Sequence, residues 1–186
     1  MFIQTEATPN PATLKFLPGT PVLPGGTRDY RDAETATESP LAQKLFSVSG
    51  VAGVFLGQDF ITVTRSGAEW QHMKPAILGL IMDHYLSGEP VLLGESPSAE
   101  SPGDEFFEQS DAEVVSTIKQ LLDTRVRPAV AQDGGDITFQ GFREGVVFLN
   151  MKGSCAGCPS STATLKHGIE NLLRHFVPEV SEVRAV

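Results

Sequence analysis

Apolar and alternating runs near the start of the chain predict β-strands. Residues 2–5 and 13–17 are two such runs, and the proline-rich Thr8-Pro9-Asn10-Pro11 between them favours an extended or turn conformation. Further along, residues 51–56 and 60–64 are rich in β-branched and aromatic side chains and flank a short turn. The pattern predicts two strands followed by a β-hairpin.

Apolar residues at three-to-four spacing predict two helices in the same region. Ser39-Pro40 has the pattern of an N-cap followed by proline at the first helical position, and the short helix that it opens ends before Gly50. A longer helix is predicted from Trp70 to Leu86, where Ser87-Gly88 ends it. Residues 1–93 are therefore predicted to form a small α+β domain.

An acidic stretch rich in Pro and Ser follows, at residues 94–111. Residues 95–113 carry seven acidic and no basic side chains, whereas residues 114–186 carry seven acidic and eight basic ones. Such a segment is poor in the side chains that build a core. We therefore predict an acidic flexible linker that joins two small domains, the second of which spans residues 112–186.

The pattern of the second domain predicts the order helix, strand, strand, loop, helix, strand. Ser110-x-x-Glu113 matches a capping box, and the helix that it opens is predicted to end or bend at Pro128. Two apolar segments, residues 137–141 and 146–151, predict a hairpin. After the loop, an amphipathic helix leads to a closing strand within residues 179–186.

Both cysteines of the 186-residue chain, Cys155 and Cys158, lie in the loop between this hairpin and the last helix. Pro159 suits the first position of the helix that follows. Because a helix N-terminus favours negative charge, we expect one or both thiols to deprotonate more easily than a free cysteine. A close pair of this kind is typical of a metal-binding or redox-active site.

Ligand counting favours a site shared between two chains. A zinc site or an iron–sulfur cluster normally takes four protein ligands, and this chain has two thiols in all. A two-fold dimer completes the set by placing two identical loops face to face. Within the loop, the small Ala156 and Gly157 would let the backbone approach a bulky cluster, and Lys152 could offset part of its negative charge.

Three other interpretations of the cysteine pair stay open at this point. One is a thiol–disulfide oxidoreductase, although the motif follows a hairpin rather than an early strand of a βαβ unit. The others are a structural zinc-bridged dimer and a pair of reduced thiols without a ligand.

The remaining polar candidates have ordinary structural interpretations. Asp133 and Asp136 flank two glycines, which predicts a turn-forming role. Four histidines lie on predicted helices, too far from one another or from the cysteines to join a metal site: His72, His84, His167 and His175.

Composition excludes several classes of protein. There is no Lys/Arg cluster with interleaved aromatic residues, which argues against a nucleic-acid partner, and no apolar stretch of membrane-spanning length. There is also no catalytic triad or phosphate loop. We expect a soluble, cytoplasmic protein by default.

Two groups of motifs resemble a known family. The chain from about Val114 to Val186, with Asp133-Gly134-Gly135-Asp136 and the segment from Gly153 to Pro159, resembles the C-terminal domain of NifU and the Nfu-type proteins. Thr8-Pro9-Asn10-Pro11, followed by Leu14-Lys15-Phe16, resembles the N-terminal domain of the two-domain members.

The resemblance implies a scaffold or carrier for iron–sulfur clusters rather than an enzyme. It implies a location in a bacterial cytoplasm or, for a processed form, in an organelle matrix. It implies a [4Fe–4S] cluster, with a [2Fe–2S] form as the alternative, held between two copies of the chain by Cys155 and Cys158. The partners that it implies are a second copy of the chain, upstream cluster-assembly factors and the apo-proteins that receive the cluster. The N-terminal domain is expected to recognise client proteins or other assembly factors.

Overall fold

The strands and helices of the chain gather around two separate hydrophobic cores. The computed structural model describes residues 1–24, 26–94, 105–156 and 159–186, apart from the side chains of residues 159–161. The chain divides into one unit within residues 1–100 and a second within residues 101–186. Both units combine helices with a sheet, which confirms the predicted α+β class.

The described residues of the N-terminal unit form a five-stranded antiparallel sheet, two α-helices and a 3-10 turn (Thr35–Glu38). The elements are β1 (Gln4–Ala7), β2 (Thr13–Leu17), β3 (Arg28–Tyr30), α1 (Pro40–Phe46), β4 (Val51–Leu56), β5 (Ile61–Arg65) and α2 (Trp70–Ser87). The strands run in the order β1-β2-β5-β4-β3 across the sheet. The predicted strands, hairpin and helices of this unit are all confirmed.

Both helix boundaries predicted from capping residues are present. The Ser39 hydroxyl accepts a hydrogen bond from the Ala42 N–H at 3.2 Å, and Pro40 opens α1. Gly88 follows α2 with a φ of 71°, a left-handed conformation that favours glycine. The sequence pattern did not predict β3, because its three residues are mostly polar and lie at the edge of the sheet.

The C-terminal unit contains a three-stranded sheet in the order β6-β7-β8. Its elements are α3 (Ala112–Leu121), a π-helical turn (Leu122–Val126), α4 (Arg127–Gln132), β6 (Gly135–Arg143), β7 (Val146–Gly153), α5 (Pro159–Phe176) and β8 (Glu182–Ala185). β6 and β7 form the predicted antiparallel hairpin, and β8 joins β7 in parallel. The predicted order of elements is confirmed, and it places the cysteine loop between β7 and α5.

The first helix of this unit differs in detail from the prediction. The capping box at Ser110 and Glu113 does not form, because α3 begins one residue later with Asp111 at its N-cap and no side-chain cap bond. Of the two outcomes predicted at Pro128, an end of the helix is wrong, because the helix continues to Gln132, but its geometry does change directly before α4. Proline has no N–H for the carbonyl four residues earlier, and the π-helical turn directly before α4 accommodates that missing bond.

The predicted linker, residues 94–111, belongs only partly to the described structure. Residues 95–104 lie outside the described residues. Residues 109–111 form a single 3-10 turn before α3, and Phe106 pairs with the edge of β6.

Candidate functional site

The β6–β7 hairpin sets the position of the cysteine loop. At the open end of the hairpin Gly135 lies opposite Gly153 and Asp136 opposite Lys152. β7 ends at Gly153, which has a φ of 64°, and the chain then turns through Ser154 towards Cys155. A residue with a side chain rarely adopts that φ, so glycine is the residue that allows this turn.

Hydrogen bonds to the preceding turn fix the first part of the loop. Ser154 is buried, and its hydroxyl donates to the carbonyl of Asp133. The Ser154 N–H donates to the carbonyl of Gly134 at 3.3 Å. On the other side, the Thr162 hydroxyl of α5 donates to the Cys155 carbonyl at 3.0 Å. The loop backbone is therefore bonded both to the turn before β6 and to the first turns of α5.

Gly134 and Gly135 serve the site in different ways. Gly134 has a φ of 83°, a left-handed backbone conformation that residues with a side chain rarely adopt. Gly135 contributes space: a Cβ atom there would lie 2.6 Å from the Cys155 Sγ and 2.7 Å from the Lys152 carbonyl oxygen. The absence of that atom leaves the sulfur room beside the backbone of β6.

Next to this turn, the buried carboxylate of Asp136 forms hydrogen bonds that link β6 to α4. Asp136 is 4% exposed, and its two oxygens accept hydrogen bonds from Nε and Nη2 of Arg127, both at 2.8 Å. The Ile137 N–H donates to the same carboxylate at 2.9 Å. These bonds raise the pKa of Arg127 above its ordinary value, chiefly through Asp136. The prediction of a purely turn-forming role for Asp136 was therefore incomplete, because the residue anchors β6 to α4.

Cys155 lies inside the hydrophobic core and is only 5% exposed. Burial raises the pKa of its thiol to about 12, and the negative charges of Asp133 and Asp136 act in the same direction. A hydrogen bond with Ser154 opposes that rise but does not cancel it. The raised pKa of the Cys155 thiol does not support easy deprotonation at this position, because burial disfavours the charged thiolate. For Cys158, easy deprotonation stays a prediction.

The second half of the motif lies outside the described residues. Gly157 and Cys158 belong to that part, and so does the side chain of Pro159, so the predicted pairing of the two thiols stays a prediction. Among the described residues, no group of three or more His, Cys, Asp and Glu side chains is placed to hold a metal ion.

The histidines lie where the sequence analysis placed them, on helices. His167 and His175 are exposed on α5, and His72 is exposed on α2. His84 is completely buried in the core of the N-terminal unit.

No helix in the described part of the chain has the length and apolar character needed to cross a membrane.

Comparison with known families matches both units. Residues 3–88 match the family described as "Scaffold protein Nfu/NifU N terminal", and residues 118–184 match the "NifU-like domain". The chain is 50% identical over 188 residues to the human protein named "NFU1 iron-sulfur cluster scaffold homolog, mitochondrial", covering 100% of this chain and 72% of that protein. The chain belongs to the Nfu family of scaffold proteins.

Other relatives of this Nfu-family chain come from insects and plants. It is 53% identical to the protein of the same name from Drosophila sechellia, covering 100% of this chain and 65% of the relative. It is 49% identical to "NifU-like protein 4, mitochondrial" of Arabidopsis thaliana, covering 98% of this chain and 65% of the relative. The chain thus spans about 65% of the length of these two relatives.

The family confirms the predicted resemblance and its two-domain pattern. It is a family of scaffolds rather than enzymes, in agreement with the prediction that the chain is not an enzyme. Neither the thiol–disulfide oxidoreductase nor the zinc-bridged dimer gains support from it. The relatives are named as mitochondrial proteins, which agrees with the organelle alternative and lends no support to a bacterial cytoplasm.

Proposed function

We propose that this chain is an iron–sulfur cluster carrier that binds a [4Fe–4S] cluster between two copies of itself and passes it to apo-proteins. The observation that carries the proposal is the hydrogen-bonded loop around Cys155 in a chain of the Nfu family. Cys155 and Cys158 are the two ligands from each copy, since the chain has no other cysteine. A [2Fe–2S] cluster held by the same four thiolates is the alternative form.

The described residues fit a cluster as cargo. Thiolate is the ligand type that iron–sulfur clusters take, and the missing side chain of Gly135 leaves room beside the Cys155 sulfur. The Cys155 thiol must lose its proton to become a ligand, and in the cluster-free chain that thiol is buried. We expect cluster binding to draw Cys155 out of the core, so that loading and release both involve movement of this loop.

Anaerobic reconstitution of the full chain tests the proposal. Four thiolates from two chains predict about four iron and four sulfide per dimer, with a doubling of the mass on loading. A fully loaded monomer would contradict the bridged arrangement. Zinc analysis of the same preparation distinguishes the structural zinc site, which would bind zinc and no sulfide.

Single substitutions assign the ligands. Cys155→Ser and Cys158→Ser should each abolish stable cluster binding, because a shared site then retains only two of its four thiolates. Ser116→Ala, at an exposed position on α3, is the matched control and should load like the wild type. Retention of the cluster by either cysteine variant would show that the ligand assignment is wrong.

Transfer to a client is the second half of the proposal. The loaded chain should activate an apo-enzyme that needs a [4Fe–4S] cluster faster than free iron and sulfide do in the presence of a chelator. Equal activation by the loaded chain and by free iron and sulfide would contradict the carrier role. The mitochondrial names of the relatives support an organelle matrix as the place where this transfer occurs.

A further inference from the structure

The segment Glu105–Phe107 lies along the outer edge of β6, which is an edge strand of the C-terminal sheet. The Phe106 N–H donates to the Gln140 carbonyl at 3.2 Å, and the Phe142 N–H donates to the Phe106 carbonyl at 2.8 Å. These two bonds form a parallel β-bridge between Phe106 and Gly141. An extended peptide adds to an exposed sheet edge through the same kind of backbone pairing.

Residues of β6 and β7 form a recess that accepts the Phe106 ring. Gly141 has no side chain, and a Cβ atom there would lie 2.5 Å from the ring. The ring packs against Phe148 with 5.1 Å between the ring centroids, and the Arg143 guanidinium lies 6.0 Å from its centre. We call the recess formed by Gly141, Arg143 and Phe148 the aromatic slot. The β-bulge between Phe139 and Gly141 lies directly beside it.

The residues on both sides of Phe106 also contact neighbouring side chains of the C-terminal unit. The ring of Phe107 lies 6.5 Å from the ring of Phe139. Glu105 forms an ion pair with Lys119 of α3, and the Lys119 ammonium lies 5.4 Å from the Phe139 ring. Lys119 of α3 therefore provides a cation for a carboxylate, and the edge of β6 provides contacts for the two aromatic side chains that follow it.

The contact is small enough to be exchanged. Phe106 is the only residue of the segment that the described structure pairs with β6, through a single isolated bridge. Phe106 and Phe107 remain 39% and 41% exposed, unlike the core residue Val147, which is fully buried. Their removal from the surface would uncover the edge of β6 without opening the hydrophobic core.

We propose that the outer edge of β6 is a peptide-docking site for an extended protein segment in which a carboxylate precedes two aromatic residues. Glu105–Phe107 is the intramolecular occupant that keeps the site closed, and a segment of a partner protein with the same chemistry replaces it. Because a tethered segment has an effective concentration in the millimolar range, the partner must bind more tightly or present its segment at high local concentration.

Nuclear magnetic resonance of the full chain tests the proposal with a synthetic peptide that has the sequence of residues 102–109, Pro-Gly-Asp-Glu-Phe-Phe-Glu-Gln. In a Phe106→Ala/Phe107→Ala variant the Phe142 amide signal should shift, since the partner of its N–H is loosened. Added peptide should return that signal saturably towards its wild-type position. Its apparent affinity for the wild type should be at least about tenfold weaker, because the tethered segment competes.

Matched control variants show whether the peptide binds at the aromatic slot or elsewhere on the surface. Phe2→Ala removes a phenylalanine that is 79% exposed in the N-terminal unit, and this variant should respond to the peptide like the wild type. Lys119→Glu, added to the double variant, should weaken binding of the peptide, because it reverses the charge that faces the peptide's carboxylate. A peptide with both phenylalanines replaced by alanine should not bind.

Two results would overturn the proposal. One is a double variant whose Phe142 amide does not respond to the peptide, or responds equally to the alanine peptide. The other is a cluster-free wild-type chain that forms dimers and loses protection of the Phe142 amide on dilution. In that case a second copy of the chain, rather than the chain's own segment, would be the occupant of the site.

Discussion

Gly135 shows how one missing atom shapes the candidate site. The position of its absent Cβ is limited by a side-chain sulfur on one side and by a backbone carbonyl on the other. A flexible side chain could move away, but the Lys152 carbonyl belongs to the paired backbone of β7 and cannot. The sequence analysis predicted turn chemistry for Gly134-Gly135 and could not separate their two roles, because the neighbours of Gly135 come from a distant part of the chain.

We expect Gly135→Ala to destabilise the C-terminal unit by about 1–3 kcal/mol, because the added methyl group overpacks the site. It should also impair cluster loading, since the Cys155 sulfur would be displaced. Urea denaturation and iron content of the reconstituted chain measure the two effects. Gly168→Ala on α5 is the matched control, because nothing lies within 4 Å of its added methyl group. An unchanged stability and iron content for Gly135→Ala would contradict this role.

His84 is a buried titratable side chain in the N-terminal unit. It is fully buried, and among the described residues neither ring nitrogen has a hydrogen-bond partner. Burial lowers its pKa, and the charge of Lys44 lowers it further, while Glu89, 3.8 Å from the His84 Nδ1, acts in the opposite direction. The folded unit therefore holds the neutral imidazole.

This lowered pKa predicts a loss of stability in acid. Between the lowered pKa of the folded state and about pH 6.5, the unfolded chain binds more proton at His84 than the folded chain does, so the free energy of unfolding falls with decreasing pH by up to about 1.4 kcal/mol per unit. Denaturation followed by the fluorescence of Trp70, the single tryptophan, at pH 7.5 and pH 5.5 measures the change. His84→Leu should lose less stability between the two pH values than the wild type.

His72→Leu, an exposed position on the same helix, is the control and should keep the wild-type pH dependence. If the His84→Leu variant lost as much stability as the wild type on acidification, titration of His84 would not be its source.

At the scale of secondary structure, hydrophobic periodicity predicted most elements and few of the contacts between them. The hairpin β6–β7 and helix α5 follow from residues close in sequence. The pairing of Phe106 with Gly141 depends on a sheet edge that exists only after folding. The burial of Cys155 likewise depends on side chains from several elements, so the raised pKa of its thiol could not be predicted from its place before a helix.

In the continuous helix formed by α3, the π-helical turn and α4, a residue directly after the π-helical turn binds to β6. Arg127 is the first residue of α4, and its guanidinium binds the buried carboxylate of Asp136 at the start of β6. A second bond joins Arg127 to Asp123 one turn earlier, at 3.2 Å. The junction thus ties the helix to the strand that leads into the turn beneath the cysteine loop.

We expect Arg127→Ala to cost about 1–3 kcal/mol of stability, because it leaves the buried Asp136 carboxylate without its main partner. Arg127→Lys should recover only part of this, since an ammonium cannot form the bidentate pair. Arg125→Ala, at an exposed position where the guanidinium lies 5.0 Å from the centre of the Phe176 ring, should cost at most about 1 kcal/mol. Guanidinium denaturation of the three variants provides the comparison, and equal losses for Arg127→Ala and Arg125→Ala would contradict the structural role of the ion pair.

At the scale of the whole molecule, the two units have separate hydrophobic cores, and the net negative charge is distributed unevenly along the sequence. The acidic excess lies in residues 95–113, while residues 114–186 are close to neutral. The candidate ligands belong to the C-terminal unit alone, and the N-terminal unit contains no cysteine. The proposed cluster binding and the proposed recognition of client proteins can therefore be tested on separate units.

Removal of residues 1–94 should leave cluster loading intact, because the C-terminal unit keeps its own core, the cysteine loop and the Glu105–Phe107 segment. Transfer of the cluster to an apo-enzyme should become slower, since the N-terminal unit is proposed to recognise the client. Supplying residues 1–94 as a separate chain should not restore the rate at micromolar concentration, because the covalent tether provides an effective concentration in the millimolar range.

A full chain in which residues 95–104 are replaced by Gly and Ser at the same length is the matched control for the truncation. This chain keeps both units and the tether but loses the acidic residues of that segment, and its transfer rate should stay close to that of the wild type. A truncated chain that fails to load would show that cluster binding needs both units. A truncated chain that loads and transfers at the full rate would instead show that client recognition does not reside in the N-terminal unit.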